Sequence, residues 1–372
     1  MNRLLQLFEE APSLDLFSKL KEKQAPILIY GMGDGAAKLI HALKKKGISY
    51  CGIFASDEFV RGQSFMGHTV KTFDECKRTY ERFIVLVAFS SVLPAVIQRV
   101  NAIASQTELY IPDINVYGDP AAVFDTDFIS MNRRQLQEVF ELLSDEDSKL
   151  FFLSLLRYKL SGKPEDLWQL DLHSKDHLTG IRSVRTYCDL GAYTGDTLKE
   201  QKHLHPELET VVAFEPEPRH YKKMESTKSL FRKAVLVPAA AYDREGSLYF
   251  SQGKGRGSSY KAEAIEGLRC AKSKPVPTRT LDSVILQNEI EAVDLIKYDV
   301  EGCEYEAILG SKETITRYRP MQIVSLYHNH LDLLRLPLLL KNYLPDSDFH
   351  LSRKQKCFPA WEVELTIIPR IV

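Results

Sequence analysis

The chain twice writes a short apolar run, a glycine-rich turn and an amphipathic stretch. The first copy is "ILIYGMGDGAAKLIHALKKKGISYCGIF", Ile27 to Phe54, which includes the next apolar run; the second opens with "TYCDLGAYTGDT", Thr186 to Thr197. Runs rich in β-branched and aromatic residues read as strands, and two parallel strands need a crossover that is usually a helix. This pattern restricts each half of the molecule to an α/β architecture built on a mainly parallel sheet.

In the first half the alternation continues through "RFIVLVAF", the helical "SVLPAVIQRVNAIA" and "ELYIPD". Residues 26–118 are therefore expected to form a small doubly wound domain behind an N-terminal helical segment, residues 1–25. Strands then disappear. In "RRQLQEVFELLSDEDSKLFFLSLLRYKLSG" apolar residues recur at three- and four-residue spacing, which predicts amphipathic helices, so residues 119–180 read as a helical connector. Alternation resumes in residues 181–372 with "TYCDL", "TVVAFEP", "AVLVPAAA", "VDLIKYDV" and "MQIVSLYH", and a last pair of β-runs lies near "FHLS" and "EVELTIIP". The expected fold is a larger C-terminal sheet, mostly parallel with antiparallel final strands, plus the smaller N-terminal α/β domain. Inside the second half, "SQGKGRGSSYK" (251–261) reads either as a long hairpin loop or as a mobile lid over an anionic or sugar ligand.

Composition excludes several classes of function. A length of 372 residues suits two or three domains. Lys plus Arg number 49 against 50 Asp plus Glu, so no net charge points to nucleic acid or an anionic membrane. Cys51, Cys76, Cys188, Cys270, Cys303 and Cys357 are scattered with no Cys-x-x-Cys pair, which argues against a metal knuckle or a disulfide framework. "LDLLRLPLLL" is about half the length a membrane span needs and carries charge and proline. With no signal-peptide pattern at the N-terminus, a cytoplasmic location is expected.

The chemistry concentrates where strands end, since open α/β sheets bind ligands beyond the carboxyl ends of their strands. The second turn supplies Asp189, Gly191, Ala192, Tyr193 and Gly195, then Asp196 and Thr197 at a helix start. The glycines admit close approach of a ligand. Asp189 can accept from an ammonium group, and a helix N-terminus favours a carboxylate. Tyr193 stands where a pyrophosphate-binding turn needs its second glycine. Glu215, followed by Pro216 in "VVAFEPEP", lies at the distance expected of an acid that holds ribose hydroxyls. A turn that only packs a helix on a sheet is the plainer alternative.

Downstream, "VDLIKYDVEGCEYEAILGS" places Lys297, Asp299, Glu301 and Glu304 at the exit of a buried strand. Buried acids must be solvated or paired, although a helix start welcomes some of them on dipole grounds. In "YHNHLD", His328 is a candidate base with a near-neutral intrinsic pKa, or else a histidine satisfied at a sheet edge. With His330, Asp332 and the nearby carboxylates Asp299 and Glu301 it could instead ligate a divalent ion, but the spacing does not force this and no metal is assigned. The first turn, with Gly31, Gly33 and Gly35, could cradle a nucleotide or nucleotide-sugar; the acid expected after its second strand is replaced by Ala55, with Asp57 two residues late.

Taken in order, "DLGAYTGDT", "AFEPEP", "TRTLDSVI" and "IKYDVEGCEYEAILG" resemble the FkbM family of S-adenosylmethionine-dependent methyltransferases over about residues 181–372. "IVSLYHNHLDLLRLPLLLKNYLPD" and the connector run "SDEDSKLFF" resemble a bacterial branch with an N-terminal Rossmann-like domain; where that branch carries Leu-Arg-His, this chain has "HLSRKQ" at 350–355. The resemblance implies methyl transfer to a hydroxyl of a sugar, glycan precursor or secondary metabolite, with S-adenosylmethionine as cofactor and a small-molecule acceptor. It implies a cofactor turn at Asp189–Thr197, Glu215 on the ribose, Ala240 against the adenine, and Asp299 and Glu301 toward the methyl group; by its own chemistry His328 is the first candidate base and Asp299 the second. A homodimer fits such a protein. Two other readings stay open, a scaffold that keeps the cofactor fold without turnover and an NAD-dependent enzyme working through the first domain.

Overall fold

The computed structural model describes residues 2–173, 177, 182–250 and 274–370. The 251–261 stretch and Cys270 lie outside the described residues. The first sheet contains β1 (Ile27–Tyr30), β2 (Gly52–Phe54), β3 (Ser64–Phe65), β4 (His68–Lys71), β5 (Ile84–Val87) and β6 (Glu108–Tyr110), in the order β3-β4-β2-β1-β5-β6. All its pairings are parallel except β3 with β4. That hairpin has no counterpart in the sequence pattern because its strands are too short to show a period and bury only Val70.

The second sheet uses β7 (Thr186–Leu190), β8 (Thr210–Phe214) and β9 (Lys233–Val237). The chain then forms a small separate sheet from β10 (Ala240–Ala241), β11 (Gly246–Phe250) and β12 (Lys274–Arg279). It returns with β13 (Leu295–Tyr298), β14 (Met321–Ser325), β15 (Ser347–Arg353) and β16 (Val363–Pro369), giving the order β15-β16-β14-β13-β7-β8-β9. β16 runs antiparallel to both its neighbours, β14 and β15, as the closing β-runs led one to expect, and the remaining pairings in this sheet are parallel. β1, β5, β7, β8, β13 and β14 are buried at every position. Sheets covered on both faces need continuous rather than alternating apolar runs, which is how these strands read.

The connector comprises the helices Thr126–Met131, Arg133–Leu142, Glu146–Ser161 and Pro164–Gln169. Asp145 caps the longest of them by accepting from the Ser148 amide at 2.8 Å, and Gly162, with φ +61°, ends it. Its Phe151, Phe152, Leu155 and Leu156 share one core with Leu28 and Val85 of the first sheet and Cys188, Leu190 and Ile296 of the second. Ser91, beyond β5, and Phe358, between β15 and β16, exchange two backbone hydrogen bonds of 3.0 and 3.2 Å, so the halves also meet through main chain. The "HLSRKQ" stretch belongs to the same seam, where buried Arg353 pairs with Asp171 of the connector. No helix among the described residues is long and apolar enough to cross a membrane.

Candidate active site

Strand order in the second sheet reverses between β7 and β13. In open α/β sheets such a switch point, beyond the carboxyl ends of the strands, is where ligands bind. Asp189 stands at the end of β7, Glu215 follows β8 and Asp299 follows β13, so three neighbouring strand ends each bring an acid to one rim.

Asp189 is fully buried. The Thr197 hydroxyl, from the first turn of the helix Asp196–Leu204, donates to its Oδ2. Lys297, its register partner on β13, holds its ammonium 4.0 Å from Oδ1. That oxygen has no hydrogen-bond partner among the described residues. Burial raises the Asp189 pKa, with Lys297 and Thr197 opposing. A buried carboxylate oxygen with free lone pairs is a socket for a donor that arrives from outside.

The turn after β7 is shaped by close contact. Gly191 has φ +101°, and a Cβ built on it would lie 2.0 Å from the carbonyl oxygen of Asp299. Gly195, at φ +79°, would meet Thr227 at 2.7 Å. Between them Ala192 is buried, whereas Tyr193 is exposed in a left-handed conformation (φ +49°) with its ring 4.2 Å from that of His220. Asp196 is exposed on the helix that follows. Glu215, only 6% exposed, accepts from the Glu217 amide at 2.8 Å and faces His220 at 3.7 Å. Burial pushes its pKa up to about 7 against the pull of the Glu217 and Tyr193 amides. Pro216 is half-buried beside it, and Ala240 is buried in β10, paired with Thr278 of β12.

A second group of acids gathers at the exit of β13. The Lys297 ammonium donates to Asp299 Oδ2 at 2.9 Å, and Tyr327 donates to Oδ1 at 3.3 Å. Burial alone would raise Asp299, but Lys297 and His328 outweigh it and hold its pKa at about 2. Glu301 sits in the left-handed region at φ +56°. Burial lifts its pKa to about 7; Asp299 and Glu304 reinforce the rise while His328 and Tyr117 oppose it. Glu304 is fully buried and its Oε1 faces the Val300 amide at 2.8 Å and His328 Nδ1 at 2.9 Å. On the other side of that ring, Nε2 stands 3.6 Å from Glu301 and 3.8 Å from Asp299. Burial by itself would strip His328 of its proton; Glu304, Glu301 and Asp299 overcome this and raise its pKa to about 10. With its pKa so raised the ring is an imidazolium at neutral pH, its Nδ1 donating to Glu304 and its Nε2 at ion-pair distance from Glu301 and Asp299.

The remaining members of "YHNHLD" go elsewhere. His330 packs its ring on Phe124 and Phe128, at 5.6 and 6.2 Å, while Asp332 accepts from the Asn329 amide at 3.0 Å and pairs with Arg335 at 2.7 Å. These three side chains do not converge on one point. Sequence reasoning missed Tyr327, which stood beside His328 in plain view, and Tyr117, whose hydroxyl donates to Glu301 Oε2. Tyr117 gives no local signal, since it lies 184 residues from its partner.

In the first glycine turn a Cβ on Gly35 would fall 2.5 Å from the carbonyl oxygen of Ala88, whereas Gly33 has nothing within 4 Å. Ala55 is buried after β2 and Asp57 points to solvent.

Residues 189–350 match the methyltransferase FkbM domain. The 2-O-methyltransferase NoeI of Sinorhizobium fredii (strain NBRC 101917 / NGR234) is 28% identical over 144 residues, a match that spans 35% of this chain and 59% of NoeI. A crystal structure of methyltransferase FkbM from Methylobacillus flagellatus KT shares the fold across 98% of both chains, with a TM-score of 0.70 at 16% identity. The matched stretch begins at Asp189 and takes in Glu215, Asp299, Glu301, Glu304 and His328, the side chains that the sheet gathers at its rim. Residues 189–350 are thus similar to the methyltransferase FkbM domain and lie in a fold shared with a crystal structure of an FkbM methyltransferase.

Proposed function

We propose that this protein transfers a methyl group from S-adenosylmethionine to a hydroxyl of a small molecule, with sugars and glycan precursors as the first class of acceptor to test. The observation that carries the reading is the buried Oδ1 of Asp189 at the end of β7, which has no hydrogen-bond partner among the described residues, one strand from the buried carboxyl of Glu215. These residues suit that cofactor. Asp189 would accept from its ammonium group, Glu215 from its ribose hydroxyls, and the Gly191 turn leaves the backbone bare where a ligand comes close. Ala240 and Pro216 would line its path. Bound there, S-adenosylmethionine supplies a methyl group on a positively charged sulfur. The name of NoeI specifies transfer to oxygen, which favours a hydroxyl acceptor.

The chain's own groups divide the remaining work. An alcohol must lose its proton as the new bond forms, and a base is most effective when its pKa lies near the working pH. Glu301, raised to about 7, meets that condition. Asp299, held at about 2, stays ionised and is a weak base. His328 already carries its proton, so its part is to place a positive charge beside Glu301 and Asp299. Alignment of the reacting groups by such fixed side chains can supply several kcal/mol. Titration calorimetry with S-adenosylmethionine tests the first half of the reading. Release of S-adenosylhomocysteine in the presence of methyl glycosides and nucleotide-sugars tests the second. Absence of binding would sink the reading outright; binding without release from any hydroxyl compound would leave a scaffold.

A further inference from the structure

Tyr117 lies outside the matched stretch, just beyond the N-terminal sheet, yet its side chain enters the catalytic rim. We propose that Tyr117 is a positioning residue for methyl transfer: its phenol, delivered by the N-terminal half, holds the Glu301 carboxyl in the orientation from which it takes the acceptor's proton. This rests on the reading of Glu301 as proton acceptor given above.

The phenol is held from both halves. The Tyr117 amide donates to the His328 carbonyl at 3.0 Å, and Asn329 donates to the Tyr117 carbonyl at 3.4 Å. Lys38, on the helix Asp34–Lys45 of the first domain, donates to the Val116 carbonyl at 2.8 Å and stands 5.9 Å from the centre of the Tyr117 ring. The loop that carries Glu301 is cut to receive that ring. Gly302 has φ +95°, and a Cβ there would fall 2.9 Å from Tyr117 Cβ. Its neighbour Glu301 is one of the few non-glycine residues with left-handed backbone, a conformation that persists only where surrounding contacts enforce it. A tyrosine that served packing alone would not need its hydroxyl on the carboxylate.

The groups facing Glu301 are His328 from the loop after β14, Asp299 and Glu304 from its own loop and helix, Glu215 from the loop after β8, and Tyr117. Tyr117 and His328 favour the ionised carboxylate, while the three other acids oppose it. Removing one hydroxyl therefore leaves the acids less opposed, and the Glu301 titration must move upward.

The test uses the full-length protein with carboxyl-labelled glutamate, following the Glu301 resonance by NMR and assigning it with Glu301→Gln. Tyr117→Phe is expected to raise the Glu301 midpoint by about one pH unit. Release of S-adenosylhomocysteine, with methyl glycosides as acceptors, should fall about fivefold at neutral pH, and the acid limb of the rate profile should shift by about one pH unit. Gly302→Ala crowds the ring but keeps the hydroxyl, and should move the midpoint in the same direction. An unmoved midpoint in Tyr117→Phe overturns the proposal, even if the rate drops, because a packing role would lower the rate without touching the titration. A shifted midpoint in a protein that releases no S-adenosylhomocysteine strikes the functional reading instead and leaves the Tyr117–Glu301 coupling standing.

Discussion

The two glycine turns share one outline and differ in what stands behind them. In the first, the glycines answer to packing: Gly35 brings its helix against the carbonyl of Ala88, and Gly31, with φ +126°, backs onto the Phe89 ring. The strand ends beside it carry Tyr30 and Phe54, stacked on each other with ring centres 4.6 Å apart. In the second, the glycine backs onto the carbonyl of Asp299, and the strand ends carry the buried acids Asp189 and Glu215. Glycines report only that two backbones come close. A buried acid at a strand end, which must find a partner, marks the turn that expects a ligand.

That contrast can be broken or sharpened in order of expected effect. Gly191→Ala forces a methyl group into the Asp299 carbonyl at a left-handed position and should destabilise the protein by more than about 4 kcal/mol, read as loss of a cooperative melt. A variant melting like the wild type would show the turn to be slack. Asp189→Asn should weaken S-adenosylmethionine binding by about 1.5–3 kcal/mol in calorimetry, whereas Asp57→Asn, at the corresponding edge of the first domain, should leave it unchanged.

Glu215→Gln should weaken the same binding by about 1 kcal/mol or more, and it also carries a pH signature. With its pKa raised to about 7 from an ordinary value of 4.5, Glu215 binds its proton more tightly in the folded state than in the unfolded one. Its contribution to stability is complete below about pH 4.5 and is lost as pH rises through 7. The melting temperature of the ligand-free wild type should therefore fall between pH 5 and pH 8, and Glu215→Gln should flatten that fall; an unchanged slope would mean that Glu215 is ionised throughout. The smallest effect is expected of Gly33→Ala, where the added methyl meets open space: within about 0.5 kcal/mol in thermal unfolding, with S-adenosylmethionine binding intact.

Much of this arrangement is written locally. The apolar runs ending in Asp189, before Glu215 and before Asp299 are legible because a strand covered on both faces leaves no other pattern, and an acid at its end stands out. The connector's helices are legible from their period, and Asp145 announces the start of the longest. What resists reading is anything assembled from distant segments. The β3–β4 hairpin is too short to show a period. His328 reads as a near-neutral histidine, since nothing nearby in sequence says that Glu304, Glu301 and Asp299 will all face it and keep it charged. Tyr117 reads as one more aromatic residue after a strand, and only the meeting of the two halves gives its hydroxyl a partner.

The seam between the halves has a practical consequence. A piece trimmed to residues 189–350 would begin inside β7, discard β16 and leave β14 with an open edge, an invitation to aggregate. It would also lose the phenol that reaches Glu301. Chimaeras that exchange N-terminal halves between relatives should therefore be judged by whether a hydroxyl still arrives opposite Gly302, because the inherited module is smaller than the working one.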